Sequence, residues 1–389
     1  MAAIRDYVAA KRKKNPNMRI GSLRQIVSAQ QHPPMTTGNI VSDYVTSIGG
    51  IPRGLVTEIR GFMSSGKSTL AAQAAAAHQQ RVKRGEDTGA ILYLDFEYAV
   101  DFDYFAALGL DVDDDETFVY MQPETLEEGF QVFREMTQAG LLALGIVDSV
   151  AAMSCAAEME GDVGKQFIGN RAKAIQQALR MSIGPMRVHG TGLVLINHVQ
   201  VKIPQTFGEK QAAMRGIQET VSPGGVAIPY YSSMRLETSK PSQNKEEVLD
   251  ELTNDKAKQV TSTDVIISCF KNKVGIPHRT GKMRVQFGKG FNQTYSSFHI
   301  LVDNGIIKKK AGGRYEFPEV LLPHVDTTVP VGEAKILDAI EADPEWADLI
   351  VARAKALVLS EQAELGEDVV IEDVDTDTID PLTGEVLNV

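Results

Sequence analysis

Apolar and polar positions change rhythm several times along this chain. Residues 1–14 are mostly helix formers, ending in Lys11-Arg-Lys-Lys14 and closed by Asn15-Pro16, so a helix is expected there. Met18-Arg-Ile-Gly21 fits a short strand, and Gln30-Gln-His-Pro-Pro34 reads as a linker. From Gly49 the pattern becomes α/β. Leu55-Val-Thr-Glu-Ile-Arg60 alternates as a strand does. Ala90-Ile-Leu-Tyr-Leu-Asp95, Gly140-Leu-Leu-Ala-Leu-Gly-Ile-Val-Asp148 and Thr191-Gly-Leu-Val-Leu-Ile-Asn197 are apolar almost throughout. Such runs suit strands covered on both faces. Helix-forming segments separate them, Leu70-Ala-Ala-Gln-Ala-Ala-Ala-Ala77 being the strongest. The expected fold class is α/β, with a mainly parallel central sheet wound through right-handed crossovers.

In such sheets ligands bind beyond the carboxyl ends of the strands. The first strand runs into Gly61-Phe-Met-Ser-Ser-Gly-Lys-Ser-Thr69, which fits G-x-x-x-x-G-K-[ST] between a strand and a helix. Gly61 and Gly66 let successive N–H groups turn inward, and the helix N-terminus adds its positive end, which makes a phosphate cradle. Lys67 then reaches the β- and γ-phosphates, the Ser68 hydroxyl ligates Mg²⁺, and Ser64, Ser65 and Thr69 complete the nucleotide site. The other runs end in Asp95-Phe-Glu97, Asp148-Ser149 and Asn197-His198. Asp148 has the position of a Walker-B acid, a partner for Mg²⁺ through water. Glu97 suits a carboxylate that polarises an attacking water, and His198 a contact to the γ-phosphate. Each has a plainer reading: a helix cap for Asp148, a surface turn for Glu97, a structural residue for His198. Their shared location at one strand edge beside a phosphate loop favours catalysis by Lys67, Glu97, Asp148 and His198, with ATP and Mg²⁺ as cofactors.

Two glycine-bearing stretches follow those strand ends, Glu158–Gly169 and the polar Val199–Pro229, and suggest loops that respond to nucleotide state. Composition adds little except through charge. With 43% hydrophobic and 23% charged residues among 389, this is an ordinary globular chain. No uncharged apolar run approaches the roughly 20 residues of a membrane span, the N-terminus lacks a signal-peptide core, and Cys155 and Cys269 form neither a metal nor a disulfide framework. A cytoplasmic setting without membrane partners is expected. The net charge of −11 is concentrated at the end: residues 361–389 carry ten acidic residues and no Lys or Arg. Residues 1–30 carry seven basic residues against Asp6 alone. This asymmetry fits nucleic-acid binding with an acidic tail as competitor, or simply solvated ends.

Taken in order, these segments resemble bacterial RecA-type strand-exchange recombinases over nearly the whole chain. The resemblance rests on Gly49-Gly-Ile-Pro-Arg-Gly54, the phosphate loop, Leu94-Asp-Phe-Glu-Tyr-Ala-Val-Asp101, Ile146-Val-Asp-Ser-Val-Ala-Ala152 and Glu158-Met-Glu-Gly161. It continues through Ile196-Asn-His198, Phe207-Gly208, Gly224-Gly225, Met234-Arg-Leu236 and Lys271-Asn-Lys273. It implies an ATP-dependent recombinase that forms a helical homo-oligomer on single-stranded DNA and pairs it with homologous duplex DNA, with room for single-strand-binding or loader proteins. Glu97 would be the catalytic carboxylate, and Asp101 and Tyr104 would hold the adenine. Lys271 and Lys273 would reach the nucleotide of a neighbouring subunit. Loops 158–169 and 199–229 would grip DNA through Ile168, Gly169, Lys173, Arg180, Phe207, Gly224 and Gly225. The implied layout is an oligomerisation arm at 1–48, an ATPase core at 49–288, a small C-terminal α/β domain at 289–360 with a last helix to about Ser360, and a disordered acidic tail at 361–389. The chain departs from the family at His198 (usually Gln), at Met63 (usually Glu), at the thinned basic positions Lys240 and Ser268, and in a polar insertion from Pro241 to Thr263. Divergence of this kind looks phage-encoded. The same core also suits a hexameric helicase, or a regulatory paralogue that binds ATP without exchanging strands.

Overall fold

A computed structural model describes residues 2–15, 18, 20–22, 32–160, 169–201, 220–249, 256–324 and 327–367. Helix α1 (Ala2–Lys14) ends in the expected basic cluster. The described residues at 18, 20 and 21 are not in a strand. After α2 (Ile40–Thr46) the core alternates β1 (Val56–Gly61), α3 (Lys67–Lys83), β2 (Ala90–Asp95), α4 (Phe102–Ala107), β3 (Phe118–Met121), α5 (Leu126–Gln138) and β4 (Leu142–Asp148). Then come α6 (Ala156–Met159), α7 (Asn170–His189), β5 (Gly192–His198), the short pair β6 (Gln200–Val201) and β7 (Thr220–Val221), and α8 (Ala227–Tyr231).

The remaining strands are β8 (Ser232–Thr238), β9 (Ser242–Leu249), β10 (Lys256–Asn272), β11 (Thr280–Gln286) and β12 (Gly290–Phe291). The C-terminal part holds α9 (Gln293–Asp303), the hairpin β13 (Lys308–Lys310) and β14 (Arg314–Glu316), α10 (Glu333–Ala342) and α11 (Pro344–Glu367).

The large sheet runs β12-β11-β10-β8-β1-β5-β4-β2-β3, with β9 paired to β10. From β8 to β3 every pairing is parallel. From β8 to β12 every pairing is antiparallel. The parallel half follows from the apolar runs, because strands covered on both faces need apolar residues at every position. In β2, Ile91 and Tyr93 enter the core on the side of α3, whereas Leu92 and Leu94 enter the core beneath α5 and α7. All four are fully buried, and each of the three aliphatic side chains contributes about 1.5–3 kcal/mol. The first core continues into the C-terminal part through Phe298, Phe317, Trp346 and Ile350.

Within the polar insertion at 241–263, β9 and β10 pair as an antiparallel ribbon continuing past the end of β8. Two expectations need correction. The stretch 199–229 is bracketed by the β6–β7 pair and enters α8 at Ala227. The last helix does not stop near Ser360 but continues to Glu367, because Glu361-Gln-Ala-Glu-Leu are all good helix formers. The rest of the acidic tail lies outside the described residues. Among the described residues no helix is long and apolar enough to cross a membrane.

Candidate active site

The site forms at the carboxyl ends of β1, β2, β4 and β5. Register sets Gly61 level with His198, and Asp95 level with Asp148. The loop between β1 and α3 is held by close contact and by left-handed backbone. A Cβ on Gly61 would lie 1.9 Å from Thr238 Oγ1. Gly66, the residue before α3, has φ 78°, a value that costs a non-glycine residue strain. The buried Ser65 donates to the Phe62 carbonyl at 2.7 Å and meets Thr238 Oγ1 at 2.7 Å, so the loop is tied both to itself and to β8.

Lys67 is buried, and its Nζ donates to the Phe62 carbonyl at 2.7 Å. An ammonium has three donors, so two remain for a ligand. Burial pushes its pKa down, opposed by the nearby Asp148 and Glu97. Asp148 is pushed up by burial, although Tyr93 and Ser68 donate hydrogen bonds to it, the former at 2.7 Å. A buried carboxylate paired only with hydroxyls gains from a cation beside it. Ser68 and Asp148 form the donor set suited to Mg²⁺, which takes one or two carboxylates and fills its shell with phosphate oxygens and water.

Glu97 joins this group from the turn after β2. Asp95 shapes that turn by accepting the backbone N–H groups of Glu97 and Tyr98 at 2.9 Å and of Ala99 at 3.1 Å. The Tyr120 hydroxyl donates to the same acid at 2.8 Å. The Glu97 carboxylate accepts from Ser149 Oγ and from His198 Nε2, the latter at 3.1 Å. Burial opposes its ionisation, but those two donors and the charges of His198 and Lys67 outweigh it and hold the carboxyl below its usual range.

Beside the phosphate loop lies a cleft of about 530 Å³, lined by Ser64, Gly66, Thr69, Asp101, Tyr104 and, from the far side, Phe287. Thr69 Oγ1 and the Tyr104 hydroxyl are 3.1 Å apart. Asp101 caps α4 by accepting the Tyr104 N–H at 3.0 Å. Thus Ser64, Gly66, Thr69, Asp101 and Tyr104 come together, as do Lys67, Ser68, Glu97, Asp148 and His198. Lys271 and Lys273 do not join them. Lys271 is level with Arg235 and so with Glu58, and the Lys273 N–H bonds Ser233. That places them roughly 10–17 Å along the strands from Gly61, toward the opposite edge of the sheet.

Of the residues expected to meet DNA, Ile168 and Phe207 lie outside the described residues. Gly169 caps the start of α7 in left-handed conformation, and Lys173 and Arg180 are exposed on that helix, two turns apart. Gly224 and Gly225 are also left-handed and precede α8. One loop base is tied to the turn that follows β4, the other to β5. Arg171 donates to the Ala151 and Met153 carbonyls at 3.4 Å. Asn197 donates to the Pro223 carbonyl and to Glu58, each at 3.0 Å.

Asp95, Ser149 and Thr238 were not anticipated as parts of the site. A buried acid two residues before a functional glutamate, and a serine directly after a strand-terminal Asp, were available signals. Thr238 and Phe287 had none, since only the sheet order brings β8 and the end of β11 to the loop.

The family model described as RecA N-terminal domain matches residues 8–292. Protein RecA of Thermotoga neapolitana is 31% identical over 342 residues, 88% of this chain and 88% of its own length. Protein RecA of Thermus thermophilus is 31% identical over 357 residues, covering 91% and 93%. Protein RecA of Lactobacillus johnsonii is 34% identical over 281 residues, covering 72% and 70%.

Proposed function

The chain belongs to the RecA family of recombinases, and from that premise we propose that it is a DNA-dependent ATPase. In this reading it assembles as a helical filament on single-stranded DNA and exchanges that strand with a homologous duplex. The observation that carries the reading is the convergence at one sheet edge of Lys67, Ser68, Glu97, Asp148 and His198, with the bases of both candidate DNA loops tied to that edge, one at the turn after β4 and one at β5.

In the hydrolytic step Lys67 binds the β- and γ-phosphates with its remaining donors. Ser68 and Asp148 hold Mg²⁺, which when bound neutralises charge on the phosphate oxygens. Glu97 orients the attacking water and accepts its proton, while His198 contacts the γ-phosphate side and the carboxylate together. Asp101 and Tyr104 take the base end of the nucleotide. Lys271 and Lys273, distant from this chain's own loop, act on the nucleotide of a neighbouring copy.

The arm at 1–48 serves assembly: Ile4 and Tyr7 of α1 are exposed at 72% and 57%, and an apolar groove between α5 and α7 offers a counterpart. Residues 49–288 form the ATPase core, residues 289–360 a C-terminal unit, and the acidic tail competes with DNA for basic surface. Gly169, Lys173, Arg180, Gly224 and Gly225, with Ile168 and Phe207, line the DNA path. Contacts of this kind bind phosphates with little sequence preference and strong salt dependence.

The test is strand exchange between circular single-stranded DNA and homologous linear duplex. Joint molecules and exchanged circles are expected with ATP and not without it, on filaments visible by electron microscopy. Closed rings that unwind duplex without pairing would reject the reading in favour of a helicase.

A further inference from the structure

We propose that Ser149 is a positioning residue for Glu97: with His198 it fixes one carboxylate oxygen, so that the other is presented to the attacking water. The proposal rests on the hydrolytic reading above. Ser149 is fully buried at the tip of β4, and its hydroxyl donates to Glu97 Oε1. From the tip of β5, His198 Nε2 donates to the same Oε1 at 3.1 Å. A carboxylate oxygen has about two lone-pair sites. Both sites on Oε1 are therefore filled, while Oε2 accepts no hydrogen bond from the described residues.

Asp95 already fixes the backbone of Glu97 through three N–H groups. What remains free is rotation about the bonds of a long side chain, and the two donors stop it. They arrive from adjacent strands, so the orientation of the carboxylate is set by the sheet. Ser149 differs from His198 in being fully buried. It has no contact to offer a phosphate, and orienting Glu97 is the role its geometry supports.

The same contact sets a pH dependence. The groups around Glu97 are Lys67 from α3, His198 from β5, Asp148 from β4, and Asp95 and Tyr93 from β2. Of the influences that lower the Glu97 pKa, the Ser149 hydrogen bond is the largest. A base must be ionised to act, so turnover falls as pH drops through its pKa. Removing the hydroxyl raises that pKa, and the acid limb of the rate profile moves to higher pH.

The experiment compares the full-length parent with Ser149→Ala, Ser149→Cys and Glu97→Gln, measuring ATP turnover on single-stranded DNA across pH. Ser149→Ala should lower kcat by about 10- to 100-fold with KM for ATP little changed, and should shift the acid limb upward. Ser149→Cys, a weaker donor of similar size, should fall between. Infrared titration of the Glu97 carboxyl in nucleotide-free protein, assigned by its absence in Glu97→Gln, should show the same order. Parental kcat and acid limb in Ser149→Ala, with Glu97→Gln inactive, overturn the positioning role alone. Glu97→Gln turning over at the parental rate overturns the hydrolytic reading, and this proposal with it. If Ser149→Ala does not fold, as judged by circular dichroism, Ser149→Cys decides: an unmoved infrared titration and acid limb sink the proposal.

Discussion

The two halves of the sheet treat charge in opposite ways. In the parallel half, β2, β4 and β5 are largely apolar along their length and carry their carboxylates and imidazole at the carboxyl tips, as Asp95, Asp148 and His198. In the antiparallel half and along β1, charges sit within the strands and meet partners there. Arg235 binds the fully buried Glu58 at 2.5 Å, Arg60 binds Glu237 at 2.5 Å and Arg284 binds Asp264 at 2.7 Å. Arg60 and Arg235 also flank the ring of Phe270, at 4.4 and 4.7 Å from its centroid. Residue type does not separate the two groups; cross-strand pairing with arginine marks the mid-strand acids, whereas at the tips Glu97 meets His198. At the tips, Lys67 and Asp148 have no direct salt-bridge partner among the described residues, and their pKa values move with burial. The mid-strand acid–arginine pairs are already matched and hold strands together. The lesson is that an acid or base in this fold is available for chemistry where the sheet leaves it incompletely satisfied.

The largest test of that division is at the tips. Lys67→Ala should abolish nucleotide binding, whereas Glu97→Gln should bind ATP as the parent does and lose turnover by roughly 10²- to 10⁴-fold. Neither change should lower the unfolding midpoint appreciably. Equilibrium nucleotide binding and steady-state ATPase separate the two outcomes. Turnover by Glu97→Gln at the parental rate would break the comparison at its strongest point.

Next in size is the mid-strand pair. Arg235→Leu leaves the buried Glu58 without its guanidinium, with the Asn197 amide as its remaining hydrogen-bond partner among the described residues, and should cost about 3–5 kcal/mol in urea unfolding. The double change Glu58→Leu with Arg235→Leu should recover much of that loss, because two apolar groups replace a buried pair. If Arg235→Leu were as stable as the parent, the mid-strand charges would not be structural.

What could be read from sequence follows the same division. The apolar runs and the punctuation Asp95-Phe-Glu97, Asp148-Ser149 and Asn197-His198 made the parallel half legible, because such strands impose a pattern on every residue. Short β3 escaped, since Phe118–Met121 is only partly buried at an edge and carries little pattern. The ribbon escaped because Ser242–Leu249 and the start of β10 are polar; their extended form comes from cross-strand pairing, not local preference. Within the site, Lys67, Ser68, Glu97, Asp148 and His198 announced themselves by spacing. Ser149, Asp95 and Thr238 act through contacts that appear only once the strand order is known.

Lys271 and Lys273 sharpen the comparison from the other side. They belong to the antiparallel half, yet Lys271 finds the Pro229 carbonyl at 2.6 Å in place of an acid. Burial and then the neighbouring cations Lys273 and Arg235 lower its pKa. The rule above predicts a functional role for them. Changing both to Ala should leave unfolding within about 1 kcal/mol of the parent, and should reduce DNA-stimulated turnover at least about 10-fold with fewer filaments. Normal stimulation in a folded double variant would return them to the solvated surface.

The smallest effect is expected where the antiparallel half extends beyond the sheet. β10 pairs with β8 through Ile267–Asn272 and with β11 through Ser262–Ser268, whereas Lys256–Val260 pairs only with β9. A two-stranded ribbon is marginal by itself, so its outer part should add little to stability. Lys245 and Val260 face each other across the ribbon. Replacing residues 246–259 with Asn-Gly would close that pair with a two-residue turn whose twist suits a hairpin. The cut leaves intact Thr238, which touches Ser65, and Asn244, whose amide donates to Asp264 at 2.8 Å. The shortened protein should therefore unfold within about 1 kcal/mol of the parent and bind ATP with unchanged affinity. Calorimetric unfolding and nucleotide titration check both. Weaker ATP binding would mean that the ribbon reaches the phosphate loop through β8, and that the boundary between chemical and structural halves runs beyond Thr238.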